Sequence, residues 1–209
     1  MSSHLFALFE TAFAEGERRE LTINDHKVLD ATLALVQRKG IDGFTVSDVA
    51  ARARLNRVTV FRRFGTKDEM LQQMVTRELD SFRKQMVEIA QRGSDATSVM
   101  VEGFALAIRT ARTHPLVRSL ADHDPAWLLE TLRSPRSAIL TSVRASMAAT
   151  LSAIPAHSQA ALDPVRAADI LLHLVVAYTF TPEADPPLDD DADLEAFAKD
   201  IVGGIISPR

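Results

Sequence analysis

Apolar residues recur at three- and four-residue spacings along most of the chain, and period-two alternation of β-branched residues is almost absent. A helix needs the first pattern to bury one face, because side chains three and four apart share a side of the cylinder; a half-buried strand needs the second. The expected fold class is therefore all-α. With 209 residues and 46% hydrophobic content, the chain can build one good core or join a small domain to a larger one.

The N-terminal half carries the clearest helix boundaries. A first helix is expected from near Asp25, read as its cap, through Val28, Ala31, Leu35 and Val36 to Gly40, a residue that readily takes the left-handed conformation closing a helix. Thr45-Val-Ser-Asp48 has the spacing of a capping box and opens a second helix lined by Val46, Val49, Ala50 and Ala53. After a break at Arg54 and Leu55, Asn56 can cap a third helix whose Val60 and Phe64 stand one turn apart on the core side. Two short helices with so brief a connection form a helix-turn-helix. Thr66-Lys-Asp-Glu69 is another capping box, opening a long helix through Met70, Met74 and Leu79 towards Gly93.

Beyond Gly93, helices are expected at about 95–113, 125–152 and 163–180, interrupted at His114-Pro115, Pro155 and Pro164. Residues 181–193, with three prolines and a run of Asp, read as an irregular connection. A last helix sets Leu194, Phe197, Ile201 and Ile205 along one face. The organisation expected is an extension over 1–23, a three-helix helix-turn-helix DNA-binding domain over 24–70, and a C-terminal helical bundle over 71–209. In the extension, Leu5, Phe6, Phe9 and Phe13 suggest a short amphipathic helix packed on the body, while Arg18 and Arg19 could belong to an arm reaching DNA.

Charge distribution points to a partner. The chain carries −4 overall, yet residues 24–67 hold nine Lys or Arg against four Asp, a local +5 that leaves −9 on the remainder. A basic segment on an acidic protein suits a phosphate-facing module joined to a body that does not touch DNA. Within the third helix, Arg57, Thr59 and Arg62 lie away from Val60 and Phe64, so they are the candidate base readers: arginine donates two hydrogen bonds to guanine, and threonine meets a thymine methyl or a phosphate. Thr45 and Lys67, at the starts of flanking helices, are placed to hold phosphate oxygens.

Other function classes find less support. The chain has no cysteine, which removes disulfides, thiolate metal sites and cysteine nucleophiles. No basic residue precedes the first apolar stretch and Glu10 interrupts it, unlike a secretory signal; the run Ile170 to Ala177 is too short to span a bilayer. A cytoplasmic protein without membrane contact is expected. His114, Asp122, His123, Asp124 and His173 form the one acid-base or metal constellation worth weighing, which would make the chain a helical enzyme. Simpler roles serve them better: His114 ends a helix before Pro115, and Asp124 caps the helix after it. No enzyme, metal or cofactor is expected.

The stretch Gly40-Ile-Asp-Gly-Phe-Thr-Val-Ser-Asp-Val-Ala-Ala-Arg-Ala, followed by Val-Thr-Val-Phe-Arg-Arg-Phe-Gly-Thr-Lys-Asp-Glu-Met-Leu71, resembles the signature of the TetR family of transcriptional regulators. The resemblance implies DNA contacts from Thr45, Arg54, Asn56, Arg57, Val58, Thr59, Phe61, Arg62, Arg63 and Lys67. It also implies a ligand-responsive repressor acting as a homodimer on a palindromic operator, with a constitutive regulator or activator as the alternative. Four positions depart from the pattern. Arg54 replaces the usual turn glycine, where a positive φ would be unfavourable for a side chain. Asn56 replaces serine, Val58 a frequent glycine, and Phe61 a tyrosine whose hydroxyl reaches phosphate, a bond phenylalanine cannot make; Arg62 or Arg63 could compensate.

In the C-terminal half the resemblance extends to architecture alone. It implies that the last two helices of each subunit form a four-helix interface, for which Leu171, Leu174, Val175, Phe197, Ile201 and Ile205 are the candidates. Met100, Phe104, Trp127, Met147 and Tyr178 are the candidates for lining a cavity for a small apolar or amphipathic effector, since aromatics and methionines make adaptable apolar walls. The long helix after Lys67 is the expected lever between effector and DNA.

Overall fold

The computed structural model describes residues 20–134, 137–152, 163–181, 188 and 190–206, excepting the side chains of 96, 138, 139 and 204–206. The described residues form ten α-helices and no strand: α1 Ile23–Lys39, α2 Val46–Ala53, α3 Arg57–Phe64, α4 Lys67–Arg92, α5 Ala96–Thr113, α6 Pro115–His123, α7 Pro125–Arg133, α8 Ala138–Ser152, α9 Pro164–Phe180 and α10 Asp191–Ile206. The expectations placed on residues 1–19, including the amphipathic stripe and the Arg18-Arg19 arm, lie outside the described residues.

Two compact units divide the chain. Of the described residues, the first takes those up to Ser81 together with those of 114–140; the second takes Phe82–Thr113 and those from Thr141 onward. Sequence order conceals this division, because α6 and α7 return to the helix-turn-helix and leave α5 in the other unit.

The first unit is built on a single core. Leu29, Val36, Val49, Val60, Met70 and Met74 are fully buried, and Leu116, Leu120 and Trp127 from α6 and α7 join the same cluster. The cap of α1 differs from the expected one. Thr22 occupies it, and Asp25 stands three residues on: the Asp25 amide donates to Thr22 Oγ1 at 3.3 Å, and the Thr22 amide donates to Asp25 Oδ2 at 2.8 Å. A Thr-x-x-Asp box satisfies two amides where a lone cap satisfies one. The expected boxes at Thr45/Asp48 and Thr66/Glu69 form in the same way.

Gly40 closes α1, with φ 72° and ψ 174° in place of the left-handed helical pair anticipated. That region is open essentially to glycine alone, and a Cβ there would meet His123 Cβ at 3.0 Å. The adjoining turn of α1 is fastened to α6, since the buried Ser119 hydroxyl donates to the Val36 carbonyl at 2.7 Å.

The expected helix over 125–152 is two helices. Ser134 is extended, at φ −73° and ψ 118°, and precedes Pro135, whose ring disfavours helical backbone in the residue before it. Ser137 restarts the chain, its hydroxyl accepting from the Leu140 amide at 3.3 Å. Residues 115–123 are helical too, where only a separation had been foreseen, with Pro115 at a first-turn position that does not need its N–H. Asp124 occupies the N-cap position of α7, its carbonyl accepting from Leu128 N at 3.1 Å, but its side chain makes no capping bond. Its own N–H closes α6 on Leu120 O at 3.0 Å.

In the second unit α5 packs against both α9 and α10. Phe104 and Ile108 are fully buried, as are Ala168 of α9 and Ala198 and Val202 of α10. The Phe197 ring lies 6.2 Å from that of Phe104 and meets Tyr178 edge-on at 4.6 Å, an arrangement aromatic quadrupoles favour. Most of the irregular connection expected over 181–193 lies outside the described residues; α10 begins within it, at Asp191.

Candidate nucleic-acid interface

The two helices of the motif are joined by a turn that bends on Arg54. Its φ of 57° and ψ of 42° are left-handed helical, the one non-glycine residue with positive φ among those described. The sequence departure thus keeps the geometry that glycine would provide, at a steric cost of about 1–2 kcal/mol. The turn is closed by backbone bonds from Arg54 N to Ala51 O at 3.2 Å and from Leu55 N to Ala50 O at 3.0 Å. Asn56 then caps α3 as expected, its Oδ1 accepting from the Val58 amide at 2.8 Å.

Val60 and Phe64 anchor α3 in the core at 1% and 2% exposure. Successive residues turn by about 100° around a helix, so Val58 and Arg62 stand opposite the anchors, with Thr59 and Phe61 on either side. Arg57, Val58, Thr59, Phe61, Arg62 and Arg63 are all exposed. Neither Arg57 nor Arg62 has an acceptor within the chain among the described residues.

Arg63 has a different task. Its Nε and Nη2 donate to Asp25 Oδ1 and Oδ2 at 2.9 and 2.7 Å, a bidentate pair reaching from the end of α3 to the start of α1. Asp25 is buried, and the Arg63 hydrogen bonds hold its carboxyl far below the usual carboxylate range against the opposing effect of burial. Arg63 is therefore fixed as a buttress of α3. Neither the buttress nor its partner was legible in local sequence, since the two residues are 38 positions apart.

The flanking residues keep partial polar capacity. The Thr45 hydroxyl donates to Asp48 Oδ2 at 2.7 Å, and its hydrogen bonds lower the Asp48 pKa. Lys67 Nζ sits 4.7 Å above the Phe44 ring, a cation–π contact that orients the ammonium at the start of α4. About three turns into α4, Arg77 bonds Asp30 of α1 at 2.7 Å, and Glu78 meets His114 Nε2 at 3.0 Å. Burial raises the Glu78 pKa, but hydrogen bonds from His114 and Arg77 outweigh it and leave the carboxyl lowered.

Residues 28–74 match the family of bacterial regulatory proteins, tetR family. These residues form a TetR-family DNA-binding domain. Comparison with curated proteins gives no significant match to the chain. Among solved structures, E. coli NemR in its reduced form is similar over 90% of this chain and 99% of its own, at 16% identity and a TM-score of 0.64. FadR from Bacillus subtilis, solved in complex with stearoyl-CoA, is similar over 88% of this chain and 98% of its own, at 14% identity and a TM-score of 0.58. The TetR family repressor AlkX from Dietzia sp. strain DQ12-45-1b covers 91% and 100%, at 20% identity and a TM-score of 0.53. At these identities the likeness shows the fold, an all-α TetR architecture from the DNA-binding domain through the helical C-terminal part.

The residues named for an effector cavity are divided by this fold. Met100, Phe104 and Met147 are buried in the second unit and Tyr178 is half-buried there, whereas Trp127 packs into the core beneath the TetR-family domain. Of the candidate interface residues, Leu171, Val175 and Phe197 are buried within their own subunit, and Leu174 and Ile201 are half-buried. The side chain of Ile205 lies outside the described residues.

The His and Asp constellation is dispersed. His114 caps α6, its Nδ1 accepting from Leu116 N at 3.2 Å; His123 Nδ1 lies 3.1 Å from Ser119 O; His173 Nδ1 lies 2.7 Å from Asp169 O. Among the described residues no group of three His, Asp or Glu could hold a metal ion, and no helix is long and apolar enough to cross a membrane.

Proposed function

We propose that the protein is a ligand-responsive transcriptional repressor that binds a palindromic operator as a homodimer. The observation that carries this reading is that Arg57, at the first turn of α3, and Thr59 and Arg62, turned away from its anchors, stand exposed on a helix held in the core by Val60, Phe64 and the Arg63–Asp25 pair. Guanidinium groups without a partner among the described residues can donate in pairs to guanine O6 and N7. Two such helices in a dimer would enter successive major grooves roughly 34 Å apart. Effector binding releases DNA only if the ligand prefers the conformation that DNA does not, and such coupling amounts to about 1–3 kcal/mol. Helix α4, continuous from Lys67 to Arg92, is the covalent route for it. The stearoyl-CoA complex of FadR supports an effector with an apolar tail, and the aromatic cluster of Phe104, Tyr178 and Phe197 supplies a wall of the right character.

Selection of bound duplexes from a random pool, followed by measurement of the mass of the complex, tests the proposal. Enrichment of an inverted repeat bound by two chains, or a multiple of two, is expected. A directly repeated or single site bound by one chain would overturn it.

A further inference from the structure

The recognition helix carries two large apolar side chains that serve no core. Val58 is 72% exposed and Phe61 is 55% exposed, whereas Val60 and Phe64 on the same helix are almost fully buried. Val58 and Phe61 are three residues apart, hence neighbours on the helix surface. Val58 stands on the side opposite the anchors, beside Arg62 one turn on. Neither side chain can donate to a phosphate or to a base edge.

The major-groove floor offers one prominent apolar group, the 5-methyl of thymine; every other feature there is a donor, an acceptor or a ring edge. Resting on the reading that α3 enters the major groove, we infer that Val58 and Phe61 form an apolar clamp that reads thymine, so that each half-site carries a T beside the bases contacted by the arginines. The clamp selects by both attraction and exclusion. A thymine methyl buries apolar surface against valine and phenyl, while a cytosine in its place would set an N4 donor against groups that cannot accept from it.

Deoxyuridine tests the clamp, because it keeps every hydrogen bond of thymidine and removes only the methyl. Operator duplexes from the selection are resynthesised with dU replacing each T in turn, and their dissociation constants are measured for the wild-type chain, for Val58→Ala and for Phe61→Ala. At one T position per half-site, dU should weaken wild-type binding about 4-fold per methyl, the factor expected for one buried methyl group. Val58→Ala or Phe61→Ala should bind the T and dU duplexes with closer affinities, which assigns the methyl contact to that side chain. Since both residues are exposed, circular dichroism should show the variants folded as the wild type is. Specific binding that is indifferent to dU at every position, or a dU effect as large in both variants as in the wild type, would overturn the clamp while leaving the repressor reading intact. Absence of any sequence-specific complex would refute that reading itself.

Discussion

Substitution of Asp25 by asparagine examines how α3 is held in place. The wild-type carboxylate accepts two hydrogen bonds from Arg63 and two from Thr22, and it is buried. An amide of the same shape keeps an acceptor for Thr22 but turns donors or a neutral oxygen towards the guanidinium. Charge-assisted bonds of this kind each contribute about 1.5–3 kcal/mol. Because the Arg63 side chain is 44% exposed, water replaces part of what it loses, and we expect Asp25→Asn to cost about 2 kcal/mol in total. The melting temperature should then fall by roughly 4–8 °C for a chain of this size.

The pH dependence follows from the sign of the shift. The folded carboxyl titrates below its unfolded value of about 3.9, so the unfolded state takes up the proton first. The stability contributed by Asp25 is complete above about pH 5 and is lost as pH falls through 4 towards the folded value. Urea denaturation at pH 7 and pH 3 should therefore show a wild-type advantage over Asp25→Asn that is full at pH 7 and smaller by about 1 kcal/mol at pH 3. A difference under about 0.5 kcal/mol at pH 7, or one that persists unchanged to pH 3, would refute the buttress.

Three more expectations concern the same domain. Arg54→Gly removes the steric penalty at φ 57° while adding freedom to the unfolded chain, so its unfolding free energy should rise slightly, by up to about 1 kcal/mol; a loss of stability would show that the Arg54 side chain contributes more than its backbone costs. Ser119→Ala removes the bond to Val36 O, but that carbonyl also accepts from Gly40 N at 2.9 Å. The loss should stay near about 1 kcal/mol in urea titration, and a much larger loss would mean that the hydroxyl has a further role. Phe61→Tyr keeps the ring and restores a hydroxyl able to reach phosphate, so operator affinity should increase in a binding titration; unchanged or weaker affinity would count against the phosphate contact.

What could be read in advance was what depends on near neighbours. The boxes at Thr45/Asp48 and Thr66/Glu69, the Asn56 cap and the unusual turn at Arg54 all depend on residues within four positions, and they stand where the sequence placed them. Asp25 was legible as a helix-start residue, but its pairing with Arg63 was not, because nothing local links the two. The break at Ser134 has only Pro135 as its local signal, the ring disfavouring helical backbone in the residue before it. Trp127 was grouped with Met100 and Phe104 by residue type alone. Its packing beneath the TetR-family domain depends on the return of α6 and α7 to the first unit, a tertiary event without a local signature.

The central claim is that Arg57 and Arg62, both exposed on α3, read base identity. It is tested most directly by titrating wild type, Arg57→Ala and Arg62→Ala against the selected operator and a scrambled duplex of equal composition, at one fixed salt concentration. The wild type should prefer the operator, and each substitution should cut that preference about 10-fold, within the range for losing a bidentate arginine–guanine contact, with little change in binding to the scrambled duplex. Equal affinity of the wild type for both duplexes, or a preference untouched by either substitution, would contradict the claim.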